Sequence, residues 1–201
     1  MKKYIKLIIL VILFIFVFSC IIKILEYKEA KSLCEDIKNG NDIKTDFSNG
    51  STAPLFLDNI AKIMQIDGPK IPLIEACYYR NVQAVKVLLE NGADPNIFLE
   101  GDWSSLEAAF VYGPADERTF EIISLLMEHG ADIDKQHGSY KSILHYLSRI
   151  ICAGNDQPII HKSFVYLLDF VNPEDYKDIY RSICKSGNSS LIELMKEKGF
   201  Y

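Results

Sequence analysis

The residues of this chain that could carry acid–base, nucleophilic or metal chemistry are four histidines, five cysteines and 27 carboxylates. Such chemistry needs groups that converge, and short motifs are how a sequence makes them converge. The chain has no G-x-x-x-x-G-K-[ST] phosphate cradle, no H-E-x-x-H metal helix and no G-x-S-x-G nucleophile elbow. Its cysteines form no C-x-x-C pair and no Cys/His spacing that suits zinc, so neither a metal nor a cofactor is expected. Cys77 and Cys184 are expected as small, reduced core residues. His129 precedes Gly130 at a predicted helix end, where a cation suits the dipole, and His137 and His161 fall in predicted loops. With no convergent set, enzymatic activity is not expected.

Before any functional residue can be placed, the N-terminus must be. Residues 7–22, "LIILVILFIFVFSCII", carry no charge, and with their flanks a helix there reaches roughly 30 Å, enough to cross a bilayer. Lys2, Lys3 and Lys6 precede the run, whereas Lys23 and Lys28 are offset by Glu26 and Glu29, so the body is expected outside the cytoplasm. Three fates stay open: a retained signal-anchor, a lipoprotein signal with Cys20 of "VFSC" as the acylated residue, or a cleaved secretory signal. Residues 1–28 hold five Lys and one Glu, which leaves −9 of the overall −5 for the rest. An acidic body argues against binding a phosphate backbone.

In that body the same idea recurs. "VLLENGADPN" ends at Asn96, "LLMEHGADID" at Asp134, and a blurred "LMKEKGF" at Phe200. Each is the end of an apolar helix stopped by a glycine. Ahead of the first, Pro72 suits a first helical position, Leu73, Ala76 and Cys77 share a helix face, and Val82, Val85, Leu88 and Leu89 mark a second helix. The unit from Asp67 to Asn96 resembles the ankyrin repeat: "IPLIEA" stands for T-P-L-H-x-A and "AVKVLLENGADPN" for the end of its second helix. Ile71 and Ile74 depart from the Thr and His of that pattern. "SSLEAAF" with "FEIISLLMEHGADID" is a second copy, "SILHYLS" with "FVYLLDFV" a third, and "YKDIYRSICKSGNSSLIELMKEKGF" a fourth and capping one.

The expected architecture is all-α: an ankyrin-like solenoid of helix pairs preceded by one N-terminal transmembrane or signal helix. It divides into an anchor at 1–28, a degenerate helical cap at 29–66, and repeats at about 67–99, 100–136, 137–174 and 175–201. Leu88, Leu89, Leu125, Leu126, Leu167 and Leu168 should form the shared core, because one helix pair cannot bury its stripe alone. The turns at 113–119 and 149–162 read as enlarged. "VNPED" replaces the glycine stop of the third copy.

The resemblance implies that finger tips and exposed first-helix positions grip a protein partner. Slot by slot, the fingers are Asp67 and Lys70, then Glu100, Asp102 and Trp103, then Lys141, then Lys177. The first-helix positions are Tyr78 and Tyr79, Val111 and Tyr112, Arg149, and Lys185. Trp103 with Tyr78, Tyr79 and Tyr112 gathers aromatics in two adjacent repeats, the composition of a binding hot spot; Glu100, Asp102 and Glu107 beside them would suit a basic partner surface. Glu107 and His145 occupy equivalent slots of adjacent repeats and are expected to pair by a hydrogen bond. The functional expectation is a membrane-tethered protein–protein interaction module outside the cytoplasm, an immunity-type inhibitor of a toxic effector protein, with no nucleic acid and no small-molecule substrate. The alternatives are a scaffold or accessory subunit of an envelope complex and, in a different class, an enzyme with an unrecognised site.

Overall fold

The computed structural model describes residues 31–41, 43, 71–98, 103–134, 140–155 and 157–201, with isolated positions 14, 15, 18 and 28 before them. Asp67, Lys70, Glu100, Asp102, His137 and Cys20 therefore lie outside the described residues, as do most of the apolar segment and the larger part of the 29–66 cap. Among the described residues every regular element is a helix, and none is long and apolar enough to cross a membrane. Helix α1 covers residues 31–39. Four pairs follow: α2 (Pro72–Tyr78) with α3 (Val82–Glu90), α4 (Ser105–Val111) with α5 (Glu117–Glu128), α6 (Ile143–Cys152) with α7 (Pro158–Leu167), and α8 (Lys177–Ser186) with α9 (Ser189–Glu197).

Each pair is punctuated by the same chemistry. At the end of α3 the amide of Ala93 donates to Leu88 O and that of Gly92 to Leu89 O, both at 3.0 Å; Ala131 with Leu126 O at 2.9 Å and Phe200 with Met195 O at 2.9 Å repeat the pattern. Closing these carbonyls needs one residue at positive φ, which glycine adopts without penalty. Gly92 stands at +87° and Gly130 at +84°. The third pair has no such glycine, and there the chain leaves through two 3-10 turns, Leu168–Phe170 and Pro173–Tyr176.

The repeated "GAD" tail then links neighbours. Asp94 folds its own turn by accepting from the Asn96 amide at 2.9 Å. Asn96 reaches one repeat onward, donating to Gly130 O at 2.9 Å and accepting from the Asp132 amide at 2.6 Å. Tyr176 reaches one repeat back and donates its phenol to Asp134, and burial with that bond holds the phenol well above its ordinary pKa.

Stacking gives the helices a continuous core. Leu88, Leu126 and Leu167 are fully buried, Leu89 and Leu168 nearly so, while Leu125 is half-buried against the cluster. Helix α1 joins it: Ile37 and Ile43 sit in the same core, and the Asn81 side-chain amide donates to Ile37 O at 3.3 Å. The described cysteines are all free, as expected for Cys77, which is buried. Cys184 corrects the expectation: it is exposed, because Ile179 and Ile183 turn inward on α8 and carry it to the outer face.

Both enlarged turns are shorter than expected. At 149–162, α6 runs on to Cys152 and α7 begins at Pro158, since Ile143, Leu147 and Ile151 continue the buried stripe and Pro158 opens the next helix. At 113–119, Asp116 caps α5 by accepting from the amides of Arg118 at 3.0 Å and Thr119 at 3.4 Å, so the helix already starts at Glu117. The inserted residues lengthen helices more than loops.

Truncating the seam measures the stacking. Leu88→Ala should cost about 2–5 kcal/mol in chemical denaturation, and a loss below about 1 kcal/mol would contradict a shared core at that position.

Candidate protein-docking face

The repeat geometry brings together four aromatics that are distant in sequence. Tyr78 ends α2 and Tyr79 follows it; Tyr112 follows α4, which packs along α2. Trp103 immediately precedes Ser104, the cap of α4. There the Ser104 amide and hydroxyl both contact the Glu107 carboxylate, at 2.9 and 3.1 Å, and Ser104 Oγ accepts from the Glu107 amide at 3.2 Å. This reciprocal cap fixes where the chain enters the helix, and so where Trp103 stands.

The rings form one pile. Trp103 stacks on Tyr78 at 6.0 Å with planes 9° apart. Tyr79 meets Tyr78 edge-on at 5.0 Å, and Tyr112 lies 5.2 Å from Tyr78 and 5.5 Å from Tyr79. Tyr78 and Tyr79 are half-buried, whereas Trp103 keeps 43% and Tyr112 50% of its surface exposed. Rings already packed against one another lose little side-chain freedom on binding, which favours their use as contact surface.

Behind the pile is a residue that sequence reading passed over. Arg80 closes the end of α2 at φ +53°, the one non-glycine at positive φ among the described residues. One repeat on, the same place is Gly113, at φ +68°. Arg80 is 7% exposed; its guanidinium donates to Tyr112 O and Pro114 O and lies 3.6 Å from Asp116. A Cβ on Gly113 would stand 3.4 Å from that guanidinium. From the other side the Ala115 amide donates to Gln157 at 3.0 Å. The turn that carries Tyr112 is thus held by its neighbours on both flanks. The Asp116 carboxyl is held below its usual range, first by its hydrogen bond with Arg118 and then by the charges of Arg118 and Arg80. The signal available in the sequence was an arginine where the next copy has glycine.

The remaining candidates fall elsewhere. Lys141 lies 3.5 Å from Asp178. Arg149 donates to the Tyr140 hydroxyl at 3.2 Å and sits 5.6 Å over its ring. Lys177 pairs with Glu174 at 2.9 Å, and Lys185 is exposed. These four lie on or beside α6 and α8, away from the aromatics.

Two acidic expectations are corrected. Glu107 is 7% exposed and committed to the Ser104 cap, so it neither faces a partner nor reaches His145. His145 instead places Nδ1 2.8 Å from Ser142 Oγ and Nε2 3.1 Å from Asp178. This Ser–His–Asp chain presents no nucleophile, because Ser142 is buried and caps α6. Burial works against the Asp178 carboxylate, but the His145 contact, the Ile179 amide and the charge of Lys141 together outweigh it and hold the carboxyl below its usual range. His129, as expected at a helix end, places Nδ1 2.8 Å from Leu125 O. Among the described residues no group of three or more His, Cys, Asp or Glu could hold a metal ion.

Arg80→Gly relieves the backbone yet removes the clamp, and hydrogen bonds from a charged donor are worth about 1.5–3 kcal/mol each. The variant should lose about 1–3 kcal/mol of stability and shift the emission of Trp103, the only tryptophan; a neutral or stabilising result would mean that the clamp holds nothing.

A family model described as ankyrin repeats (3 copies) matches residues 27–137, more than half of the chain. No curated protein and no solved structure matches.

Proposed function

This chain belongs to the ankyrin-repeat family, an interaction module, and we propose that it docks a protein partner on the pile of Trp103, Tyr78, Tyr79 and Tyr112. The observation that carries the reading is the half-exposed, prepacked state of these rings. Aromatic side chains dominate binding hot spots, since they bury much apolar area with few rotamers to lose.

The module is held at a membrane by its N-terminal segment, with the repeats outside the cytoplasm. The uncharged run over residues 7–22 and the lysines ahead of it support this, and the described positions within it, Phe14, Ile15 and Phe18, are helical and exposed. An inhibitor that occludes a toxic effector arriving in the envelope fits a compact, acidic, tethered binder whose sequence carries no catalytic motif.

Affinity capture with the full chain, from its own cells and from the secreted proteins of neighbouring cells, supplies the partner. Trp103→Ala with Tyr79→Ala should then weaken that partner by more than about 2 kcal/mol without changing helix content. Unchanged affinity would remove the aromatic pile from the interface, and capture of a resident envelope complex would replace the inhibitor role with a scaffolding one.

A further inference from the structure

The candidates away from the aromatic pile share a pattern that reaches beyond single slots. His145 and Arg149 stand four residues apart on α6, with Lys141 just ahead of its Ser142 cap, and Lys177, Arg181 and Lys185 follow one another at four-residue spacing along α8. Residues four apart are neighbours on a helix surface, and α6 packs directly against α8. Basic side chains on and just ahead of α6 therefore lie beside a row of three cations on α8, on the first helices of the last two pairs of a chain whose overall charge is −5.

These basic groups are only partly neutralised from within. Asp178 takes Lys141 and His145, and Glu174 takes Lys177. Among the described residues no carboxylate pairs with Arg149, Arg181 or Lys185, and all three are exposed. Between the helices lies a cleft of about 330 Å³, lined among others by Tyr140, His145, Ser148, Arg149 and Asp178, the last already in contact with Lys141 and His145. Stacking on Tyr140 orients the Arg149 guanidinium beside this cleft and leaves donors over, and a guanidinium fork matches a carboxylate with two parallel bonds.

We propose that this cationic face of α6 and α8 docks an acidic, Asp/Glu-rich segment of the protein partner. The proposal rests on reading the chain as a protein-docking stack but not on the aromatic pile. Charge complementarity is its argument: a carboxylate-rich segment gains attraction from Arg149, Arg181 and Lys185 on a body otherwise acidic, while the same acidity repels the continuous charge of a nucleic acid. The chain then meets its partner with an aromatic contact at one end and an electrostatic one at the other.

The test is a fluorescence-anisotropy titration of the full chain, in nonionic detergent, with a labelled oligoglutamate peptide and an oligolysine control. Oligoglutamate should bind more tightly than oligolysine and weaken steadily as salt is added. Combining Arg149→Ser, Arg181→Ser and Lys185→Ser, all at exposed positions, should weaken it about tenfold or more, with far-UV circular dichroism unchanged. Trp103→Ala with Tyr79→Ala should leave oligoglutamate binding as it was, so a failed aromatic reading and a failed electrostatic one give different patterns. Equal binding of the two peptides, or an unaltered affinity in the triple variant, overturns the proposal. So does a triple variant impaired only in binding vesicles with about one third anionic lipid, which would assign the face to a membrane surface.

Discussion

A pair of helices seven to twelve residues long has an apolar stripe it cannot cover by itself, and everything else in this protein follows from covering it with another pair. Leu88, Leu126 and Leu167 meet in one seam because each second helix presents its stripe to the next. That requirement fixes the translation from one pair to its neighbour. Once the translation is fixed, residues about 33 positions apart become lateral neighbours. Tyr79 and Tyr112 touch for this reason, and so do α6 and α8.

The seam sets the spacing, while the joints decide how rigid the surface is. At the ends of second helices the joint is inexpensive: glycine takes positive φ, and Asn96 bridges to the next turn. The joint after α2 is different. Arg80 accepts a backbone conformation that disfavours a side chain, and in exchange spans to the carbonyls of Tyr112 and Pro114. A buried guanidinium needs such acceptors, and the turn's carbonyls need a donor. Local strain and long-range bonding meet where Tyr112 is displayed.

Much of this was legible in the sequence because ankyrin-like repetition writes the same constraint several times. "VLLENGADPN" and "LLMEHGADID" gave the helix ends, and the aromatic gathering of Trp103 with three tyrosines could be read from slot equivalence. Side-chain commitments were less legible. Glu107 looked like an acidic contact because it lies close to Trp103, and like a partner of His145 because their slots match, yet a serine three residues earlier makes it a capping partner. Cys184 looked internal until helical phase placed Ile179 and Ile183 there instead. The apparent loop at 149–162 shrank to the turn between Cys152 and Pro158 because apolar spacing in α6 outlasts the motif that named it. Arg80 and Arg181 were missed for another reason: neither occupies a slot to which the resemblance assigns a contact.

The proposed docking puts partner contact on the first-helix side, at the aromatic pile, and the outer face of α3 in solvent. A photo-crosslinking residue introduced at Tyr112, against one at Lys86 on α3, tests that placement in living cells. The expected result is a discrete protein adduct from position 112 and none from position 86. Equal labelling from both positions, or a discrete adduct from position 86 alone, would contradict the docking face.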